Sequence, residues 1–177
     1  MRIIAGSRKG TIIAAPRGMR TRPTADKVRE AVFSMLGQVT GMEVLDLFAG
    51  SGALGFEAIS RGVARADLVD SRTSAIKAMD ANIEKLRLEN ATVIRRDYLV
   101  FLKAGAKKGQ QYDLIFVDPP YRMQRVIEPH LNRWLPQLAV TGGKVVVESS
   151  LSPGISLPLK ILTEKVYGDT MIRIYEA

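Results

Sequence analysis

The chain of 177 residues contains no cysteine, one histidine and one tryptophan. Without cysteine it can build no disulfide scaffold, thiolate metal site, iron-sulfur cluster or cysteine nucleophile, and a reducing compartment suits it. One histidine leaves little for zinc, so no metal is expected. No apolar run approaches the roughly 20 residues of a membrane span. The opening Met1-Arg2-Ile3-Ile4-Ala5-Gly6 lacks the apolar stretch of a secretory signal, which makes a cytoplasmic location the expectation. With 46% apolar and 25% charged residues, the composition is that of one compact domain, or one domain with a small appendage, and is far from disorder.

Acidic residues are scarce at the start of the chain. Arg2, Arg8, Lys9, Arg17, Arg20, Arg22, Lys27 and Arg29 face only Asp26 and Glu30 within residues 1–40, and six of the eight net positive charges lie there. Such clustering suits a polyanion, because each phosphate neutralised by Lys or Arg releases a condensed counterion. A solvated basic face would look the same by charge alone.

Residues 1–40 therefore read as a basic extension and residues 41–177 as the main domain. Arg2–Gly6 and Thr11–Ala14 are β-prone runs that suggest a small hairpin. Thr24 is an expected N-cap for a helix carrying Val28, Ala31, Val32, Met35 and Leu36 at spacings of three and four, with Gly37 as its stop. From residue 43 strand-like and helix-like runs alternate, as in a doubly wound α/β sheet. Strands are expected at 43–48, 66–70, 91–94, 112–117 and 144–148. Helices are expected at 53–60, around Ile76 to Leu86, and from Arg125 to Leu138 with Pro129 and Pro136 bounding the last. Lys160–Val166 and Met171–Tyr175 flank a four-residue turn with no room for a helix, so they must form an antiparallel hairpin at the sheet edge. The expected architecture is a mostly parallel seven-stranded, Rossmann-like sheet.

Two segments carry chemistry. The first, Asp46-Leu47-Phe48-Ala49-Gly50-Ser51-Gly52-Ala53-Leu54-Gly55, places G-x-G-x-x-G between a strand and a helix. Gly50 and Gly52 allow main-chain N–H groups to approach a ligand at the helix N-terminus. Asp70 ends the next strand, where a carboxylate can accept both hydroxyls of an adenosine ribose. That spacing fits a dinucleotide equally well. Asp46 separates the two cases: its carboxylate would repel a pyrophosphate but attract the ammonium of an amino-acid ligand, which S-adenosyl-L-methionine has. Asp97, after the third strand, is placed to accept from an adenine amino group or to cap a loop, and Tyr98 to lie near the ring.

The second segment, Asp118-Pro119-Pro120-Tyr121, follows the fourth strand at its carboxyl end, where open parallel sheets bind ligands. Its two prolines stiffen the turn and remove two donors, which leaves the Asp118 carboxylate and the Pro119 carbonyl as acceptors. Together they can take both hydrogens of an exocyclic NH2 and aim its lone pair at a methyl group. Tyr121 offers a flat face to an unstacked base.

Together these segments resemble the class I S-adenosylmethionine-dependent methyltransferases. Arg2–Gly6, Arg22-Pro23-Thr24-Ala25-Asp26-Lys27-Val28-Arg29-Glu30-Ala31, Asp46–Gly55 and Asp118–Tyr121 are similar, more closely, to the RsmD family. The resemblance spans nearly the whole chain. It implies methylation of N2 of a guanine in 16S ribosomal RNA, guanine 966, on naked RNA or a small-subunit particle. It also implies cofactor contacts from Asp46, Phe48, Ala49, Gly50, Gly52, Asp70, Asp97 and Tyr98, and a target-amine site at Asp118, Pro119, Pro120 and Tyr121. Arg8, Lys9, Arg20 and Arg22 are the expected RNA contacts. A monomer is the expectation, one that the sequence itself does not argue.

The chemistry of Asp-Pro-Pro-Tyr also suits an adenine-N6 methyltransferase, although 177 residues leave no space for a separate base-reading domain. A non-catalytic RNA-binding assembly module is the alternative from another class. His130 and Trp134 read as packing residues, and Arg95 and Arg96 as strand flanks. Glu148 ends the fifth strand near the expected cleft, but a charge there is ordinarily just solvated.

Overall fold

The computed structural model describes residues 1–16, 23–152 and 154–177, excepting the side chains of residues 23–25. Helix α1 spans Pro23–Leu36; the expected Thr24 side-chain cap, with Arg20 and Arg22, lies outside the described residues. There follow β1 (Glu43–Asp46), α2 (Ala53–Ser60), β2 (Arg65–Asp70), α3 (Thr73–Leu86), β3 (Ala91–Arg95), α4 (Tyr98–Lys108), β4 (Tyr112–Val117), α5 (Gln124–Trp134), β5 (Ala139–Ser150), β6 (Lys160–Tyr167) and β7 (Thr170–Glu176).

The seven strands form one sheet in the order β3-β2-β1-β4-β5-β7-β6. β1 to β5 run parallel, and the β6–β7 hairpin closes the edge antiparallel to β5. Strand order reverses between β1 and β4, and above that reversal the crossovers leave in opposite directions and open a crevice at the carboxyl ends.

Alternation along the central strands divides the apolar side chains between two layers. Val44, Leu114 and Phe116 face a core shared with α1, α2 and α3; Leu45, Ile115 and Val117 face one shared with α4 and α5. Val28, Val32, Phe33 and Leu36 of α1 belong to the first core, where the Phe33 ring lies 5.6 Å from that of Phe116. Each such side chain contributes about 1.5–3 kcal/mol on full burial.

The expected N-terminal hairpin is short: one antiparallel bridge, Arg2 to Ile12, flanked by backbone bonds from the Ile3 N–H to the Thr11 carbonyl, the Gly10 N–H to the Ile3 carbonyl and the Ile13 N–H to the Met1 carbonyl, and the main domain adds further fastening. Fully buried Glu57 on α2 accepts from the Ile4 N–H (2.7 Å) and the Ala5 N–H (3.0 Å). Its charge is balanced by Arg61 at 2.8 Å and Arg29 at 3.8 Å. Asn82 on α3, also buried, bonds both the N–H and the carbonyl of Ala14 and donates to the Ser51 carbonyl of the glycine loop. The basic extension is thus tied directly to the loop it borders.

Two local departures from the sequence pattern have simple causes. Helix α4 was not expected: Asp97 caps its first turn, accepting from Leu99 N–H and Val100 N–H, and Gly109 ends it at a positive φ of 66°. Pro129 lies inside α5 rather than at its boundary. Its missing N–H removes only the bond to the Arg125 carbonyl, one turn from the helix start, where solvent can take over.

Candidate active site

Five acids stand at or just past the carboxyl ends of five parallel strands: Asp46 on β1, Asp70 on β2, Asp97 after β3, Asp118 after β4 and Glu148 on β5. All five line one cavity of about 620 Å³, with Phe48, Ala49, Gly50, Ser51, Tyr98, Pro119, Pro120 and Tyr121. The two sequence segments are therefore two walls of a single space.

The glycine loop shows why those residues are needed. Gly50 (φ 58°) and Gly52 (φ 79°) occupy left-handed backbone. A Cβ on Gly55 would fall 2.1 Å from Leu68 Cδ2, so the third glycine lets α2 lie against β2. The Gly55 N–H donates to Asp46 Oδ2 at 3.1 Å. Asp46 is 1% exposed, and burial raises its pKa to about 7; the Gly55 N–H offsets this only in part, and the Asp70 charge adds to it. No cation pairs with it among the described residues, although its carboxylate borders the cavity.

Asp70 behaves differently. It accepts from the Gly50 N–H (3.0 Å), the Arg72 N–H (2.9 Å) and the Arg72 guanidinium (3.0 and 3.1 Å). Burial alone would raise its pKa, but the Arg72 and Gly50 donors outweigh that and hold it below the usual carboxylate range. Arg72 is half exposed, so hydroxyl groups of a ligand can replace it at modest cost. Asp97 uses Oδ1 to cap α4, and its Oδ2 has no partner among the described residues. The rings of Phe48 and Tyr98 lie 5.3 Å apart on the cavity wall, and the Tyr98 hydroxyl is 2.8 Å from His130 Nδ1. His130, read from sequence as a packing residue, therefore orients an aromatic of the site.

At the other wall Asp118 makes no hydrogen bond among the described residues, and burial, then the charges of Glu148 and Asp46, hold its pKa well above the ordinary value. Burial likewise raises Glu148. Tyr121 is 40% exposed, its hydroxyl 2.7 Å from Thr170 Oγ1 on β7. The ring is thereby fixed at the rim, where it can stack on a base.

Arg8 and Lys9 are exposed in the turn that docks on Ser60, the far end of α2 from the glycine loop, a separation of about 12 Å along the helix. Arg72, Arg96 and Arg122 line the cavity itself. Sequence reading does not single out Arg72 or Arg122, takes Arg96 as a strand flank and sets Glu148 aside as a solvated charge near the cleft; each lies at or just past the carboxyl end of a parallel strand, and that placement is the signal that marks them.

An open seven-stranded sheet of this order, with a glycine loop after β1 and Asp-Pro-Pro-Tyr after β4, defines the class I methyltransferase fold. The chain superposes on a SAM-dependent methyltransferase from Agrobacterium tumefaciens with a TM-score of 0.70 at 16% identity, over 88% of this chain and 63% of that one. A hypothetical protein from Thermus thermophilus matches at a TM-score of 0.84 and 29% identity, over 100% and 99% of the two chains. The family described as conserved hypothetical protein 95 matches residues 1–176. Ribosomal RNA small subunit methyltransferase D of Escherichia coli K12 is 35% identical over 182 residues, covering 99% of this chain and 89% of the relative. The chain belongs to this family, the RsmD methyltransferases.

Proposed function

We propose that the chain transfers a methyl group from S-adenosyl-L-methionine to the exocyclic N2 of a guanine in 16S ribosomal RNA, guanine 966 by family resemblance. The observation that carries this reading is the shared cavity, in which the Asp46–Asp70–Asp97 wall faces the Asp118–Tyr121 wall. The name of the Escherichia coli relative supports the RNA as substrate.

The residues fit the donor. Buried Asp46 lacks a cation, and the ammonium of a methionine moiety supplies one; Asp70 and the Gly50 N–H suit a ribose, and Phe48 and Tyr98 a flat ring. Several carboxylates around one cavity disfavour the pyrophosphate of a dinucleotide. The donor supplies an electrophilic methyl on a sulfonium, which a neutral amine can accept without covalent catalysis. The chain's part is alignment. Asp118 and the Pro119 carbonyl hold the two N–H bonds, the double proline keeps both acceptors rigid, and Tyr121 stacks on the extruded base. Asp118, with its raised pKa, is also suited to receive the proton that the methylated amine releases.

The test is incubation of the protein with small-subunit particles or 16S RNA and methyl-labelled donor, followed by nucleoside analysis. Label in N2-methylguanosine is the expected result. Label in N6-methyladenosine would transfer the assignment to the adenine reading, and no label on either RNA form would leave the non-catalytic one.

The basic extension, residues 1–40, serves in this proposal as the flanking RNA contact. Neutralising Arg8, Lys9, Arg20 and Arg22 together is expected to weaken RNA binding and to lower the slope of log K against log salt by about 0.7–0.9 for each phosphate that is no longer neutralised. An unchanged slope in filter-binding titrations would assign RNA binding instead to Arg72, Arg96 and Arg122 at the cavity rim.

A further inference from the structure

β4 and β5 are parallel neighbours with Val117 opposite Val147, so Asp118, just past the end of β4, and Glu148, still within β5, stand side by side, at about the 4.8 Å spacing of adjacent strands. They share a face with Phe116 and Val146, two residues earlier on each strand, both in the α1 core. Both acids line the large cavity. Both also line a smaller one of about 100 Å³ beside it, closed by Val28 and Val32 of α1, Leu54 of α2 and Ile172 of β7.

Glu148 makes no hydrogen bond and no ion pair among the described residues. The one cation lining the small cavity among the described residues, Arg29, is already held by Asp26 (3.0 Å), the Arg2 carbonyl (2.6 Å) and Glu57. Two unpartnered carboxylates beside one another under partial burial do nothing for the fold. Burial raises both pKa values, and the Glu148 charge adds to the rise at Asp118. Such a pair calls for a ligand that presents a row of donors.

Guanine presents that row: N1–H lies next to the two hydrogens of N2. Adenine places an N1 lone pair beside its amine, and cytosine an N3 lone pair beside its own, so an ionised carboxylate at that point repels either one. We propose that Glu148 determines base specificity by accepting the N1–H of the target guanine while Asp118 and the Pro119 carbonyl hold its N2. This assignment rests on the guanine-N2 reading above. It makes the junction of the α1-bordered cavity and the main cavity the place where the base is identified, and the lone pair that a wrong base carries is the basis of its rejection.

The experiment uses the full chain and small-subunit particles reconstituted from 16S RNA that carries either guanine or 2,6-diaminopurine at the position the wild-type enzyme methylates. Diaminopurine keeps the 2-amino group but has an N1 lone pair in place of N1–H. Wild-type enzyme is expected to favour guanine by about 10²-fold or more in kcat/KM. Glu148→Gln, whose amide can donate to that lone pair, should reduce the preference at least about tenfold, with a thermal midpoint no lower than that of the wild type. Glu148→Asp, which keeps the charge, should retain the preference at a lower rate. A Glu148→Gln enzyme that loses rate on both bases equally, or keeps the wild-type ratio, would overturn the role of Glu148 while leaving guanine-N2 methylation standing. Wild-type particles without N2-methylguanosine would overturn both.

Discussion

Asp118→Ala is expected to lower turnover by about 10²- to 10³-fold, the range found when one preorganised hydrogen-bonding group is taken from a reacting centre, while donor affinity stays within a few fold. The reason is positional. Asp118 sits on a turn stiffened by two prolines and makes no hydrogen bond to other described side chains, so its carboxylate is available to the substrate and little else depends on it. Alanine leaves the Pro119 carbonyl as a single acceptor, and an amine held by one hydrogen can rotate its lone pair away from the methyl carbon. Asp118→Asn keeps one acceptor oxygen and should recover part of the rate. Because burial and the Glu148 charge disfavour the ionised form, the wild-type rate should also rise with pH above the ordinary carboxylate range, where both acids become acceptors. Single-turnover rates across pH, with calorimetry for the donor, check both statements. Full turnover by Asp118→Ala would remove this residue from the mechanism.

For Asp46→Asn, opposite changes in stability and binding are expected. Asp46 has a pKa of about 7 in the folded chain against 3.8 for the free side chain. Below the lower value both states are protonated and burial costs nothing. As pH rises from there towards 7 the unfolded chain has lost a proton that the folded chain keeps, so folding stability falls and then levels off. The integrated loss is about 4 kcal/mol, at 1.36 kcal/mol per unit. Asparagine cannot ionise, and its carbonyl can still accept the Gly55 N–H. The variant should therefore match wild type near pH 4 and exceed it by up to a few kcal/mol at pH 8 in urea titrations. Donor binding should fall by about 10²-fold or more, because an ammonium loses its buried counter-charge. In the wild type, binding must first ionise Asp46, so affinity should climb with pH and plateau above about 7. A variant that binds the donor normally would show that Asp46 serves the loop and not the ligand.

These expectations come from features with different degrees of legibility. The glycine loop and Asp-Pro-Pro-Tyr can be read directly, because each is a short run whose chemistry depends on neighbours one to five residues away, and the alternation of strands with helices places both at strand ends. Helix α4 is harder to see although its cap, Asp97, and its stop, Gly109, are both in view; an acid just past a strand reads as readily as a ligand acceptor, and the structure shows its Oδ1 capping the helix.

Glu148 cannot be raised above the many charges that end strands until its register against Asp118 is known, and those residues are 30 apart in a chain whose sheet order is not its sequence order. The grip of Glu57 on Ile4 and Ala5 joins residues more than 50 apart, and it brings Met1 to the cavity wall while holding Arg8 and Lys9 at the far end of α2. Local pattern specifies which segments curl or extend and which short loops can approach a ligand, since those depend on backbone sterics and on periodicity over a few residues. Which carboxylates finish as neighbours, and which cation each is denied, depends on how the crossovers order the strands, and that follows from burying both faces of one sheet at once.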